Sequence, residues 1–177
     1  MTAFVTFAII VGIGAFIGSR FKPDAWHRHL RKPSWNPPDW VFAPVWSVLY
    51  FFSALAGWAV WWANADAWSV PLVFWAAQVV LNTAWSWLYF GRHSIFGALI
   101  DSALLLVVVL LFIATAHLYS PAASLLFVPY ALWVGFATLL NATIWHLNEG
   151  DDNATGTSLF KALLDRVMRF KPRTSGR

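Results

Sequence analysis

Gln78, Asn82 and Ser86 recur at intervals of four inside an otherwise apolar stretch, and Tyr89 continues the same helical face. Tyr130, Trp133, Ala137 and Asn141 form a comparable face in a second apolar stretch, and Trp46, Tyr50 and Ser53 in a third. A lone carboxylate, Asp101, lies inside a fourth. Amide, hydroxyl and indole groups of this kind hydrogen-bond and stack, which suits non-covalent binding of a flat apolar ligand with a few polar groups. Nothing pairs a nucleophile with a base, so conventional catalysis is not expected. There is no cysteine, which excludes disulfides, thiolate catalysis, iron–sulfur clusters and Cys-ligated zinc. His117 and His146 fall near the ends of apolar runs, so no histidine sits mid-run to ligate haem iron, and no metal site is expected.

The elements that must carry these groups are set by composition. The 177 residues are 59% hydrophobic and only 11% charged, against roughly 25% charged in soluble domains, and the mean hydropathy is +0.60. Apolar runs cover Thr2 to Ser19, Val41 to Ala63, Trp68 to Phe90, Ile95 to Leu118 and Ser124 to Leu147. Each is about 18 to 24 residues, the length that spans a hydrocarbon core of roughly 30 Å. The expected fold is an all-α integral membrane protein, a bundle of five transmembrane helices with a Pro/Trp-rich loop between the first two. Short connections make the later helices antiparallel neighbours. The N-terminal run lacks a basic leader and reads as a retained first helix rather than a cleaved signal.

All 12 Lys and Arg residues fall on one side of such a bundle. Arg20, Lys22, Arg28, Arg31 and Lys32 lie in the first connection, Arg92 in the third, and the other six after residue 160. The positive-inside rule then places the N-terminus outside and the C-terminus in the cytoplasm. A bacterial membrane is the expected location, and the net charge of +4 reports orientation rather than nucleic-acid binding. Residues 1–148 form the membrane domain. Residues 149–177 form a polar, basic tail in which Phe160, Leu163, Leu164, Val167 and Met168 share one helical face, as in helices that lie on anionic lipid.

Counting from the helix ends, Trp46, Asn82, Asp101 and Asn141 are expected at a common depth of roughly 9–12 Å on the cytoplasmic side. A polar layer at one level reads as a cavity, and an intramembrane carboxylate is costly enough to mark a functional site, although inter-helix hydrogen bonding is the competing use of every one of these groups. Trp85 and Trp133 lie deep in their runs, where core packing competes in the same way. The stretch KPSWNPPDWVFAPVW, residues 32–46, would lie over that cavity. Its prolines stiffen the loop and forbid a regular helix, so Trp35 and Trp40 are presented as flat plates. Upstream, Asp24 is placed to start a short helix carrying His27, Arg28 and His29. The expected object is a rigid lid, aromatic beneath and basic above, suited to a large flat ligand bearing carboxylates. Gly14 and Gly18 permit close helix packing within the bundle.

Three segments, KPSWNPPDWVFAPVWSVLYF, AAQVVLNTAWSWLYFG and VPYALWVGFATLLNATIWHLN, resemble the TspO/MBR family of tryptophan-rich sensory proteins, and the resemblance covers about residues 1 to 148. It implies a five-helix bundle, commonly a homodimer, with a pocket closed by the first loop. It also implies binding of porphyrins such as protoporphyrin IX or haem, with no cofactor required, and in some members of sterols and synthetic ligands. By motif position the pocket would include His27, where the family often has an aromatic residue, with Pro37, Trp46, Tyr50, Asn82, Trp85, Ser102, Trp133 and Ala137. From the polar faces and the lid, Trp35, Asp101, Tyr130 and Asn141 join them. Trp46 and Trp133 match tryptophans implicated in light-dependent porphyrin breakdown. The sterol-recognition pattern of Leu/Val, Tyr and Lys/Arg is absent from ATLLNATIWHLN. The expected function is a tetrapyrrole-binding sensor or regulator, with a light-dependent porphyrin-degrading enzyme, a small-molecule transporter and a structural assembly factor as alternatives.

Overall fold

The computed structural model describes residues 2–64 and 69–149, so the tail expected over 149–177 lies, beyond Glu149, outside the described residues. Six α-helices follow in order: α1 (Thr2–Gly18), α2 (Ala25–His29), α3 (Phe42–Asn64), α4 (Val70–Ser86), α5 (Ile95–Ala116) and α6 (Pro121–Leu147). A 3₁₀ turn, Asp39–Val41, leads into α3, and a π turn, Trp87–Gly91, prolongs α4. The described residues contain no strand. The helix beyond the five expected is α2, which folds inside the first connection. Among the described residues three helices are long and apolar enough to cross a membrane: α3 with its 3₁₀ turn, α5 and α6. α1 and α4 have 17 regular α-helical residues each, because α1 ends at Gly18 and the last turn of the third run widens to π geometry.

Local chemistry fixes these boundaries. Asp24, Ser94 and Ser120 each accept a hydrogen bond from the backbone N–H three residues on, capping α2, α5 and α6. Pro71 and Pro121 sit in the first turns of α4 and α6, where the missing N–H costs nothing. Between α2 and the 3₁₀ turn, Pro33, Pro37 and Pro38 keep the chain irregular.

The five long helices close into a ring: α1 against α3, α3 against α6, α6 against α5, α5 against α4, and α4 back against α1. The main core lies inside it, with Phe7, Val60, Trp75, Val109, Phe112 and Phe127 among its buried side chains. A second cluster forms at one end, where Leu30 of the first connection caps Tyr89, Ile95, Ala98, Leu140 and Ile144. Small residues bring α1 close to its neighbours. A Cβ on Gly14 would stand 2.9 Å from Thr83 Oγ1 and one on Gly18 3.2 Å from Ser86 Oγ, so both glycines pack within the bundle. On α3, a Cβ at Gly57 would meet Phe7 at 2.7 Å and Trp75 at 2.8 Å.

Those two rings are themselves packed edge to face at 4.8 Å, so neither has room to yield. Gly57→Ala is expected to destabilise the bundle by about 1–3 kcal/mol, the usual cost of overpacking a core. Gly135→Ala, whose Cβ would meet nothing within 4 Å, is expected to leave stability unchanged or raise it slightly. Thermal unfolding of the two variants in one lipid or detergent checks the contrast.

Candidate functional site

The polar faces of α3, α4 and α6 meet in a continuous chain of hydrogen bonds. Tyr50 Oη donates to Asn82 Oδ1 at 3.0 Å, Asn82 Nδ2 to Tyr130 Oη at 3.1 Å, Tyr130 Oη to Gln78 Oε1 at 2.9 Å, and Gln78 Nε2 to Ser53 Oγ at 3.0 Å. Trp75 Nε1 closes the set on the Ser53 carbonyl at 2.8 Å. Trp46 packs on the rings of Tyr50 and Tyr130, at 5.5 and 6.1 Å. The space beside Gln78 and Asn82 is about 10 Å³, at the lower limit for one water and far too small for a ligand. Tyr50, Asn82 and Tyr130 therefore act here as inter-helix fastening, the competing use weighed from the sequence.

Asp101 and Asn141 are different. They are 5% and 2% exposed, yet Asp101 Oδ2 and both Asn141 amide atoms have no hydrogen-bond partner. Each such group costs about 1–3 kcal/mol if it stays unsatisfied. The common depth expected for Asn82 and Asn141 is not what the fold builds. Asn82 bonds to Tyr130, which precedes Asn141 by about three turns of α6, roughly 16 Å along the axis. Counting from helix ends fails here because α6 runs to Leu147, well past the level at which α4 gives way to its π turn.

A packed cluster of aromatic rings lies at the end of the bundle where Leu30 docks. Trp85 stacks on Tyr89 at 4.9 Å, and His27 meets Tyr89 at 5.6 Å and Phe90 at 5.4 Å. Trp26 covers Tyr89 from the other side at 5.6 Å. The inner surface of the lid is thus made by Trp26, His27 and Leu30, whereas Trp40, expected beneath it, is 74% exposed. Trp35 instead reaches Phe136, 5.8 Å away. The lid is fastened at two points. Asp24 accepts from the backbone of His27 and pairs with His93 Nε2 at 2.9 Å, while the His93 ring stacks on Trp26 at 4.5 Å. His93 holds this position with φ of 52°, an uncommon backbone conformation for a non-glycine residue. At the far edge, Asn148 clamps the backbone of Arg31, accepting from its N–H at 3.1 Å and donating to its carbonyl at 3.0 Å.

Between α3 and α6 an open apolar groove of about 560 Å³ runs past Pro44, Val48, Phe52, Pro129, Trp133 and Phe136. Trp133 packs on Phe42 and Phe136, and its indole N–H is buried without an acceptor. Trp46 and Trp133 thus belong to separate aromatic groups. Of the remaining candidates, Ser102 donates to the Leu99 carbonyl of its own helix, the Pro37 carbonyl accepts from the Asn36 side chain, and Ala137 is half-buried on α6. Trp26, His93 and Asn148 escaped the reading of the sequence because their roles depend on contacts between connections far apart in the chain. The aspartate cap at the start of α2 was the one local signal pointing to them.

The sequence model of the TspO/MBR family matches residues 4–146. The chain is 42% identical to the tryptophan-rich protein TspO of Chlorobaculum tepidum over 158 residues, 81% of this chain and 96% of that protein. It is 34% identical to protein CrtK of Rhodobacter capsulatus, over 88% of this chain and 98% of that protein. The translocator protein of Homo sapiens is 38% identical, over 81% of this chain and 89% of that protein.

The lid's electrostatics give it a pH dependence. The Lys32 ammonium donates to His27 Nε2 at 2.9 Å, which places the neutral ring's proton on Nδ1. Burial holds the His27 pKa below the usual histidine range, and the Lys32 charge pushes the same way. Burial lowers Lys32 as well. Asp24 is held low chiefly by the His27 N–H it accepts. Because docked His27 resists protonation, its contribution to lid docking is complete above the free-histidine pKa of about 6.5 and declines as pH falls through that value toward the lower docked one. Protection of residues 24–33 from hydrogen exchange, after division by the intrinsic exchange rate at each pH, is expected to be several-fold lower at pH 5.5 than at 7.5. His27→Phe, which keeps the ring contacts, should remove the difference, and Asn148→Ala should lower protection at both pH values.

Proposed function

The chain belongs to the TspO/MBR family, and on that footing we propose that it binds flat tetrapyrroles, protoporphyrin IX or haem, beneath its first loop and serves as a sensor or regulator of porphyrin metabolism. It is an integral membrane protein. The observation that carries the ligand reading is a lid, latched at two separate points, over a cluster of aromatic rings, with an open groove of about 560 Å³ between α3 and α6. A rigid planar macrocycle matches such surfaces, since stacking gives area without the entropy cost of ordering flexible chains. Arg28 and Arg31, exposed on the lid, are placed to meet propionate groups. The names of relatives, a tryptophan-rich sensory protein and several translocator proteins, speak of sensing and translocation in those proteins.

In this reading α1 and α4 with its π turn also span the bilayer, giving five spans with the N-terminus outside and the basic connections in the cytoplasm of a bacterial cell. A homodimer follows on family grounds. A second reading, light-driven breakdown of bound porphyrin, is favoured by the placement of Trp133, whose indole lines the groove with its N–H unanswered. Trp46, packed between two tyrosines, is less suited to that role.

Titration of the purified protein with protoporphyrin IX in the dark is expected to quench tryptophan fluorescence saturably, with affinity several-fold weaker in Trp133→Phe. Quenching that never saturates, or is identical in the variant, refutes the site. Loss of porphyrin absorbance on illumination in the wild type but not in Trp133→Phe would select the photochemical reading over simple sensing.

A further inference from the structure

Two arginines near one end of the bundle lie on exposed rings. The guanidinium carbon of Arg20 is 5.6 Å from the centre of the Phe16 ring, and that of Arg92 is 5.6 Å from the centre of the Trp87 ring, both within cation–π range. Each reaches back along its own element toward the apolar run, because the ring beneath it comes four or five residues earlier in the chain. For Arg92 the π turn sets this alignment: its N–H donates to the Trp87 carbonyl at 2.8 Å, so residue 92 stands over residue 87. Both arginines are exposed, and among the described residues neither is in an ion pair. Lys22 adds a third exposed charge two residues beyond Arg20, while the carboxylate nearest it in the chain, Asp24, is taken by His93 and the backbone of His27. The two elements also meet. Gly14 faces Thr83 and Gly18 faces Ser86, so α1 and α4 run in the same direction and in step. A Cβ on Gly91 would stand 2.9 Å from the Phe21 ring and 3.1 Å from Trp87, so Phe21, next to Arg20, packs against Gly91, next to Arg92. By this register Phe16 and Trp87 differ in level by roughly 4.5 Å along the axis.

Val5, Ile9, Ile13 and Phe16 share one exposed face of α1, and Val73, Val80 and Trp87 share one exposed face of α4. Each apolar stripe thus finishes, at the same end of the bundle, in an aromatic ring with a guanidinium laid on it. A guanidinium drawn back to the top of an apolar stripe stands at the depth of lipid phosphates rather than out in solvent. We propose that Arg20 and Arg92 hold the phosphate of an anionic phospholipid at the end of the α1–α4 seam that carries the first connection, with the acyl chains along the two exposed stripes. The inference is separate from the ligand reading above and needs only that α1 and α4 lie in the bilayer. Guanidinium groups pair with phosphate oxygens through two parallel N–H donors, and the rings beneath them hold the two forks in place. With three cations and the neighbouring carboxylate engaged, the site selects a headgroup of net negative charge. The ammonium of a zwitterionic headgroup would meet only like charge there.

The test is native mass spectrometry of the full-length protein in detergent, titrated with phosphatidylglycerol and separately with phosphatidylcholine of the same chains. Phosphatidylglycerol is expected to bind about fivefold or more tightly than phosphatidylcholine. Arg20→Gln with Arg92→Gln should weaken phosphatidylglycerol by about fivefold or more and leave phosphatidylcholine within about twofold of the wild type. Arg28→Gln with Arg31→Gln, an equal loss of charge on the lid, should leave phosphatidylglycerol within about twofold. Thermal melting followed by circular dichroism checks that the variants fold. Should the first pair not fold together, the single variants Arg20→Gln and Arg92→Gln, each expected to lose about two- to threefold, carry the comparison, and unchanged affinity in both overturns the proposal. Equal affinity for the two lipids, or equal losses in the two double variants, replaces the site with diffuse surface charge and overturns it. Glycerol 1-phosphate, which has the phosphate without the chains, is expected not to compete, and competition at the lipid's own concentration would make this a site for free anions. A protein that is wholly dimeric and takes up no phosphatidylglycerol gives the face to a second copy of the chain and likewise overturns the proposal.

Discussion

The hydrogen-bond chain from Tyr50 through Asn82, Tyr130 and Gln78 to Ser53 sets the register of three helices at once. In a hydrocarbon medium an apolar side chain gains little by leaving lipid for a helix interface, so packing and polar satisfaction must hold a bundle together. Five side chains from α3, α4 and α6 answer one another here, with room for at most one water among them. Sliding any one helix by a residue would leave several donors and acceptors bare together. That register fixes where α6 ends relative to α4, and hence where Asn148 stands to receive the first connection.

The same constraint gives the remaining polar groups their meaning. Asn82 and Asn141 are the same residue type, both on helices that read as amphipathic faces, and they end in opposite conditions. Asn82 bonds to two tyrosines, whereas both amide atoms of Asn141 are buried without a partner. Chemical type alone therefore does not tell which buried amide is tied into the bundle. What separates them is whether the opposing helix supplies a complement, and that depends on the tertiary arrangement.

Much of the architecture can be read directly from the chain. The ends of the apolar runs agree with the helices to within a few residues, because Pro121, Ser94 and Ser120 mark them with local chemistry. Asp24 likewise announces α2, and Gly14 and Gly18 announce a close neighbour. Depth was harder, since α6 continues beyond its partners and a count from its end misplaces Asn141 relative to Asn82. The lid was legible as a stiff, tryptophan-bearing segment, but not its orientation. Trp40 turns outward and the short helix turns Trp26 inward, a result of packing against Tyr89 and His93 that no spacing in the first connection encodes.

The clamp at the far edge of the lid grips Arg31 by its main chain alone, through one N–H and one carbonyl. Nineteen of the twenty amino acids offer that pair of groups. Position 31 is consequently free to drift in charge and size across related sequences without loosening closure, and only proline, which lacks the donor, is barred. The burden of identity falls entirely on residue 148, whose planar amide supplies both halves of the grip. Variation at one end of this contact and constancy at the other is the evolutionary signature that a backbone-reading latch would leave.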